Sequence, residues 1–281
     1  MKEKTLARFI FGSMAFIALL LIFTGCVTNP YIPPPAVDCD PFINGTFITP
    51  PRPNPAWRHT GTLILGDIKA KKLAARHILK APPGWDCPDK IDNSAYCTAL
   101  ENQGPNPWCA AYSMGQLLSA SYWREFHFRH DFPEDKLYAA AKKIDRNNSE
   151  GTTLESIMQA ARRMDYGLGY MAVMPEEDEE QIYEVEDVVF AIHKYGLVLV
   201  GMQITEGWNK LNPDGTIGPD TKAIGGHAVL VSGYSRSCNL IWGPNWWGKD
   251  WGKGGWWMMT LDQFDKQIGY GYAIRIKWEK K

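Results

Sequence analysis

The segment Asn102-Gln103-Gly104-Pro105-Asn106-Pro107-Trp108-Cys109-Ala110 decides how this chain is read. A cysteine stands here at the head of an apolar periodic run. Ala110, Met114, Leu117, Leu118 and Ser121 recur at three- and four-residue spacing, the pattern of a buried helical face. Asn106 is a favourable N-cap and Pro107 suits a first helical position, so the spacing predicts a helix beginning near Pro107. Cys109 then falls in its first turn, where unpaired N–H groups and the macrodipole favour an anion. An ordinary thiol pKa of about 8.5 can drop to ~3.5–7.5 in such a place. Beside a histidine, the thiol becomes a thiolate–imidazolium couple able to attack an acyl carbon near neutral pH. Without that partner, a lone cysteine is most often a buried structural residue.

Two downstream segments supply candidate partners. Gly225-Gly226-His227-Ala228-Val229 puts a histidine at the start of an apolar strand, after two glycines that let the backbone turn. His227 is the only one of the six histidines in that context. Asn245-Trp246-Trp247-Gly248 comes next, followed by Trp251-Gly252-Lys253-Gly254-Gly255. Taken singly, His227 reads as a structural histidine and Asn245, after Pro244, as a turn residue.

Taken together, the three segments resemble the papain-like cysteine peptidase family over residues from about 82 to 281. Gln103 stands six residues before Cys109, the family spacing between oxyanion-hole glutamine and nucleophile. Gly226-His227-Ala228-Val229, with Gly233-Tyr234 after it, is similar to the family's histidine strand. Asn245-Trp246-Trp247-Gly248 is similar to its asparagine–tryptophan segment, and the order Cys, His, Asn fits.

The resemblance implies an α+β, two-lobed fold. Its N-terminal lobe is mainly helical, its C-terminal lobe is antiparallel β, and the active-site cleft runs between them. It implies Cys109 as nucleophile and His227 as base, then acid. Asn245 would orient the His227 ring, and Trp247 would shield that contact from water. Gln103 would form the oxyanion hole with the Cys109 backbone N–H. Glu150-Gly151-Thr152-Thr153 resembles a segment that rims the non-primed side of the cleft. Gly151, Thr152, Gly226 and Trp247 are therefore expected to meet substrate. The implied activity is peptide-bond hydrolysis through an acyl-enzyme. Two other functions remain: an amidase or transpeptidase of the same fold acting on cell-wall peptides, and a catalytically silent binding lipoprotein. The intact Cys109, Gln103, His227 and Asn245 argue against the last.

The chain also departs from the family pattern. Asn106 stands where a cysteine is usual three residues before the nucleophile, and Ala110 where a tryptophan usually follows it. Gly226 occupies a position that is acidic in plant members. His227 and Asn245 follow Cys109 more closely than usual, as if a loop were trimmed. Residues 27–81 are short for a helical inhibitory pro-segment. Subsite preference and zymogen control stay open, but no catalytic group is missing.

Beyond these motifs, periodicity predicts a helix over Glu134 to Lys143 and another after Thr153, with Leu154, Ile157, Met158 and Ala161 on one face. The acidic run Glu176 to Glu180 is read as opening a fourth, since negative charge suits a helix start. After Gly196 the texture turns to strands: Leu197 to Ile204, His227 to Tyr234, Asn239 to Trp242, Trp256 to Thr260 and Tyr272 to Trp278. Helices first and strands second argue for α+β over alternating βαβ.

The N-terminal end is not read as fold. Lys2, Lys4 and Arg8 precede an apolar run from Phe9 to Phe23, and then comes Thr24-Gly25-Cys26. This resembles a bacterial lipoprotein signal, with Cys26 diacylated and left as the mature N-terminus, although Phe23 stands where Leu is usual. The run is short for a membrane span of about 20 residues, and two acyl chains anchor stably. Residues 1–25 are thus expected to be a signal peptide. Residues 26–56, with Pro33-Pro34-Pro35 and Pro50-Pro51, are expected to be a tether. Residues 57–81 are read as a short pre-domain, a basic membrane-facing helix or the domain's first helix. Residues 82–281 are the peptidase-like domain. The location expected is the cell envelope, on the exported side.

Formal net charge is -1 over 281 residues, and no basic patch with interleaved aromatics occurs, so no nucleic acid is expected. Removing residues 1–25 takes away Lys2, Lys4 and Arg8 against Glu3, which leaves -3. The expected partners are a peptide or protein substrate and, through the lipid, a membrane. The chain is expected to be a monomer. No ligand spacing implies a metal and no motif implies a cofactor. Export permits disulfides. With Cys26 acylated and Cys109 reserved for chemistry, four cysteines remain. The local pairing is Cys87 with Cys97, leaving Cys39 with Cys238, unless all four stay reduced.

Overall fold

The structure, a computed structural model, describes residues 79–97, 100–145, 149–164, 171–173, 179–182 and 184–279. The expected signal peptide, Cys26 lipidation site and tether lie outside them, as does most of 57–81. Leu79, the first described residue, is buried. Lys80 Nζ reaches Asp187 Oδ2 at 2.6 Å, and the Ala81 N–H donates to Asp187 Oδ1 at 3.0 Å.

The central element is α1, Cys109–Phe126, whose inner residues from Cys109 to Tyr122 are almost all buried. It begins later than Asn106 and Pro107 suggest. Trp108 (φ -105°) is its N-cap and offers no side-chain cap. Asn106 cannot cap, because it is held in a turn with Gln103. Its N–H donates to the Gln103 carbonyl (3.2 Å), and its own carbonyl accepts Gln103 Nε2 (2.7 Å). Helices α2 (Glu134–Asp145) and α3 (Leu154–Arg163) pack beside α1. Thr153 caps α3 by accepting the Ser156 N–H at 3.1 Å. Leu117, Leu137, Ala141, Ile157 and Met158 from the three helices share one core.

The acidic run is not a helix start. Glu179–Ile182 is a strand, β3, paired antiparallel with β9 (Ile268–Ile274), and the helix α4 (Val185–Tyr195) begins only after it. The sheet edge that β9 offers overrides the local preference, and the acids in the first turn of α4 are Glu186 and Asp187.

Among the described residues there are also two four-stranded antiparallel sheets and a two-stranded ribbon of β2 (Met171–Val173) and β10 (Lys277–Glu279). The first sheet has the order β3-β9-β4-β5, where β4 is Val198–Thr205 and β5 is Ala223–Val231. The second joins β1 (Lys90–Asp92), β6 (Gly233–Ser235), β7 (Leu240–Pro244) and β8 (Trp256–Thr260). Helix α5 (Leu261–Gln267) links β8 to β9.

The first sheet separates two cores. Leu199, Ala228, Leu230, Tyr270 and Tyr272 face the helical core. Val198, Val200, Met202, Val229 and Val231 face a second core with α4 and the tryptophans. This is the period-two alternation of strands buried on both faces. It yields the α+β arrangement of a helical and a β lobe.

The local cysteine pairing does not form. Cys87 and Cys97 both carry free thiols. Cys87 sits in the second core and Cys97 packs against the first. Burial pushes the Cys97 thiol well above the ordinary range. Cys238 is disulfide-bonded, with its partner outside the described residues.

Candidate active site

The turn before α1 is built from its own side chains. Asn102 Oδ1 accepts the Gly104 N–H at 2.8 Å, and Gly104 takes a φ of 58°, which glycine adopts without strain. Asn102 forms a bridge with Trp247, and the Gln103 N–H donates to the Trp246 carbonyl at 2.8 Å. The segment carrying Gln103 therefore lies antiparallel to the segment carrying Asn245. Cys109 follows as the first helical residue of α1.

His227 sits on β5 opposite Met202, and Asn245 directly follows β7. His227 Nε2 lies 2.8 Å from Asn245 Oδ1, which also accepts the Trp246 N–H at 2.8 Å. An amide oxygen only accepts, so Nε2 carries the hydrogen and the ring's second nitrogen is Nδ1. Nδ1 is buried and has no hydrogen-bond partner. The N–H of the next residue, Ala228, points at Cys109 Sγ at 3.5 Å. Cys109, His227 and Asn245 are each 0% exposed. Residues far apart in sequence thus meet where β5 lies against the start of α1.

Trp247 stacks on the imidazole, with centroids 4.9 Å apart and planes at 30°, and Trp208 meets the ring edge-on at 5.7 Å. Trp208 is also stacked with Trp251 and anchored by its indole N–H on Gln267 Oε1 at 2.8 Å. Sequence reasoning missed Trp208. It lies in a 3-10 turn, Glu206–Asn209, with no periodic signal around it.

Gln103 is buried, with its Oε1 without a partner. An amide nitrogen carries two hydrogens, and one is committed to the Asn106 carbonyl. The second remains for a further acceptor.

Gly151 and Thr152 are buried just before α3. The Gly151 carbonyl accepts Lys142 Nζ at 2.9 Å, and Thr152 Oγ1 has no hydrogen-bond partner. The Glu150 carbonyl accepts the Tyr138 hydroxyl, whose ring packs on Trp108 at 5.5 Å. Burial raises the Tyr138 hydroxyl above its ordinary pKa, with Asp145, Glu150 and Cys109 adding to it. The 150–152 segment is thus tied through Tyr138 to the Trp108 side of Cys109. Gly226 is half-buried opposite Gln203, one residue before His227.

One other group of chemistry-bearing side chains stands out among the described residues. Glu101, Asp131 and Glu134 bring carboxylate oxygens within 4.8 Å of one another. They line a cavity of about 340 Å³ with Tyr112, Arg129 and Trp246, and none of Cys109, His227 or Asn245 lines it. Burial pushes Glu134 up to about 7, and Glu101 and Asp131 add to that.

No family model matches the sequence, and no curated protein matches it. Solved structures do. Xylellain, a cysteine protease from Xylella fastidiosa, superposes with a TM-score of 0.61 at 15% identity, over 77% of this chain and 96% of its own. The fold is that of the papain-like cysteine proteases. Procathepsin B S9 from Trypanosoma congolense gives a TM-score of 0.60 at 14% identity, over 79% of this chain and 88% of its own. Recombinant stem bromelain precursor gives 0.58 at 16% identity, over 77% of each chain. At these identities the likeness is one of fold, and the residues above must speak for the chemistry.

Proposed function

We propose that this chain is a cysteine-type peptidase that hydrolyses peptide bonds through Cys109, His227 and Asn245. The observation that carries the reading is the buried imidazole of His227. Its Nε2 is committed to Asn245, its Nδ1 has no partner, and the Cys109 sulfur lies against the next residue's N–H. Nδ1 takes the thiol proton, and the start of α1 and the Ala228 N–H favour the resulting thiolate. The thiolate attacks the scissile carbonyl. The second Gln103 Nε2 hydrogen and the Cys109 N–H hold the oxyanion, where loss of one donor typically raises the barrier by about 2.7–4 kcal/mol. The imidazolium then gives its proton to the leaving amine, and water hydrolyses the thioester with His227 again as base. Trp247 and Trp208 keep the His227–Asn245 bond dry, which strengthens it.

In this reading Gly151, Thr152 and Gly226 border the peptide. Cys26 carries the lipid, and residues 26–56 hold the enzyme off the membrane at the bacterial envelope. Incorporation of a clickable fatty acid that is lost in Cys26→Ser tests the anchor, and equal incorporation in both rules it out. For the activity, the detergent-solubilised chain is profiled on a peptide library beside Cys109→Ala and His227→Ala. Cleavage by wild type alone is expected. Equal cleavage by wild type and Cys109→Ala ends the claim for this nucleophile. Release of cell-wall peptide fragments without library cleavage redirects it to an amidase.

A further inference from the structure

Trp246 contacts Asn245, Gln103 and helix α1 at once. Its backbone N–H donates to Asn245 Oδ1 at 2.8 Å, and its carbonyl accepts the Gln103 N–H at 2.8 Å. Its indole N–H donates to Ser113 Oγ at 2.7 Å, and its ring stacks on Tyr112 at 6.2 Å. Ser113 is 0% exposed and lies one helical turn after Cys109 on α1. Trp246 belongs to the helical core, whereas its neighbour Trp247 belongs to the second core and covers His227. The chain bends at Trp246, and the two rings enter different cores, so this dipeptide holds Asn245 at the junction of the two lobes.

We propose that the Ser113–Trp246 hydrogen bond is the positioning link that sets α1, and with it Cys109, against the His227–Asn245 couple. The inference rests on Cys109 being the nucleophile. Cys109 rides on α1, while His227 and Asn245 ride on β5 and the loop after β7. The apolar contacts between these elements are non-directional and tolerate small slides of the helix along its axis. A buried hydrogen bond does not, because it weakens steeply with distance and angle. Ser113 and Trp246 touch neither the sulfur nor the imidazole by a hydrogen bond, so theirs is a positioning role. The same indole–hydroxyl bond indirectly steadies Gln103, since the Trp246 carbonyl holds the Gln103 N–H. A loosened link is therefore expected to weaken both the thiolate–imidazolium pair and the placement of the oxyanion donor.

The test needs no known substrate. The rate of Cys109 alkylation by iodoacetamide is followed against pH in the detergent-solubilised full chain. Peptide mapping separates Cys109 from Cys87 and Cys97. A thiol paired with an imidazole reacts well below the ordinary thiol pKa of about 8.5. Ser113→Ala and Trp246→Phe, the latter keeping a ring but no donor, are each expected to lower the pH 6 rate by about three- to tenfold relative to pH 9. The double variant should fall no further, because both changes break one bond, and Ser113→Thr should restore the wild-type profile. Circular dichroism normalises every rate to folded protein, so a loss of stability alone leaves the profile unmoved. Wild-type pH profiles in both folded single variants overturn the link, as does a double variant that sums two separate losses. An ordinary-thiol profile for Cys109 in the wild-type protein instead sinks the proposed function, a different result from either of these.

Discussion

Asn245→Ala removes one oxygen and strands two donors. Oδ1 accepts from His227 Nε2 and from the Trp246 N–H, each at 2.8 Å. Both Asn245 and His227 are fully buried, and Trp247 and Trp208 cover the ring. A buried donor left without an acceptor costs about 1–3 kcal/mol. The variant also removes Asn245 Nδ2, itself buried without a partner, which offsets part of the loss. The net destabilisation is about 2–4 kcal/mol. For a domain of this size that lowers Tm by about 5–15 °C. The chemical consequence is separate. In the acylation step the imidazolium needs its Nε2–H accepted, and a hydrogen bond from a charged donor contributes about 1.5–3 kcal/mol. Its loss is therefore expected to lower kcat/KM by about 10- to 150-fold. The assays are a calorimetric melt and peptide hydrolysis, with active sites titrated by a thiol probe at a temperature where both proteins are folded. A variant that melts within about 2 °C of wild type and hydrolyses at the wild-type rate would refute the reasoning. Oδ1 would then hold neither the ring nor the loop.

Two further expectations concern stability. Gly243→Ala would place a Cβ against the Leu230 backbone carbonyl, which also accepts the Trp257 indole N–H at 3.1 Å. Backbone cannot step aside, so urea denaturation should show a loss of about 3 kcal/mol or more, and a loss under about 1 kcal/mol would mean the β5–β7 approach is not this close. Glu134 is held up to about 7 against an ordinary 4.5, so the folded chain binds more protons than the unfolded chain between those values. Stability from this group therefore falls as pH rises through that window and stays low above it. Glu134→Gln should gain on the order of 1–2 kcal/mol over wild type at pH 8, after allowing for solvent screening of a partly exposed carboxyl. That gain should vanish below about pH 4.5. A pH-independent difference between the two proteins would contradict the assigned burial and repulsion.

Much of the fold around the candidate site was legible because its signals are local. Cys109 heads a helix whose buried face repeats at helical spacing, and Thr153 caps α3 as an oxygen-bearing side chain should. The strands after Gly196 announced themselves as apolar runs, because the first sheet is buried on both faces. Asn106 has the chemistry of a cap, but Gln103 holds its carbonyl in a turn first. The acids at Glu179 and Glu180 suit a helix start, but β9 offers them a ladder. Cys87 and Cys97 are near in sequence, yet they pack against different cores. For the acids a distant strand outweighed a helix-start preference of about 1 kcal/mol, and for Asn106 a competing turn three residues wide did.

Residue types, their order and their short-range spacing were determined by the sequence alone. They include a cysteine at a helix start, a glutamine six residues before it, a histidine in an apolar strand and an asparagine before paired tryptophans. The tertiary structure alone decided which atoms meet. Nε2 rather than Nδ1 of His227 faces Asn245, and Trp246 turns to Ser113 while Trp247 turns to the imidazole. Helix and strand periods are properties of neighbouring residues. The orientation of a buried ring is set by what packs on it, and here that packing comes from Trp208 and Trp247, on different segments of the chain.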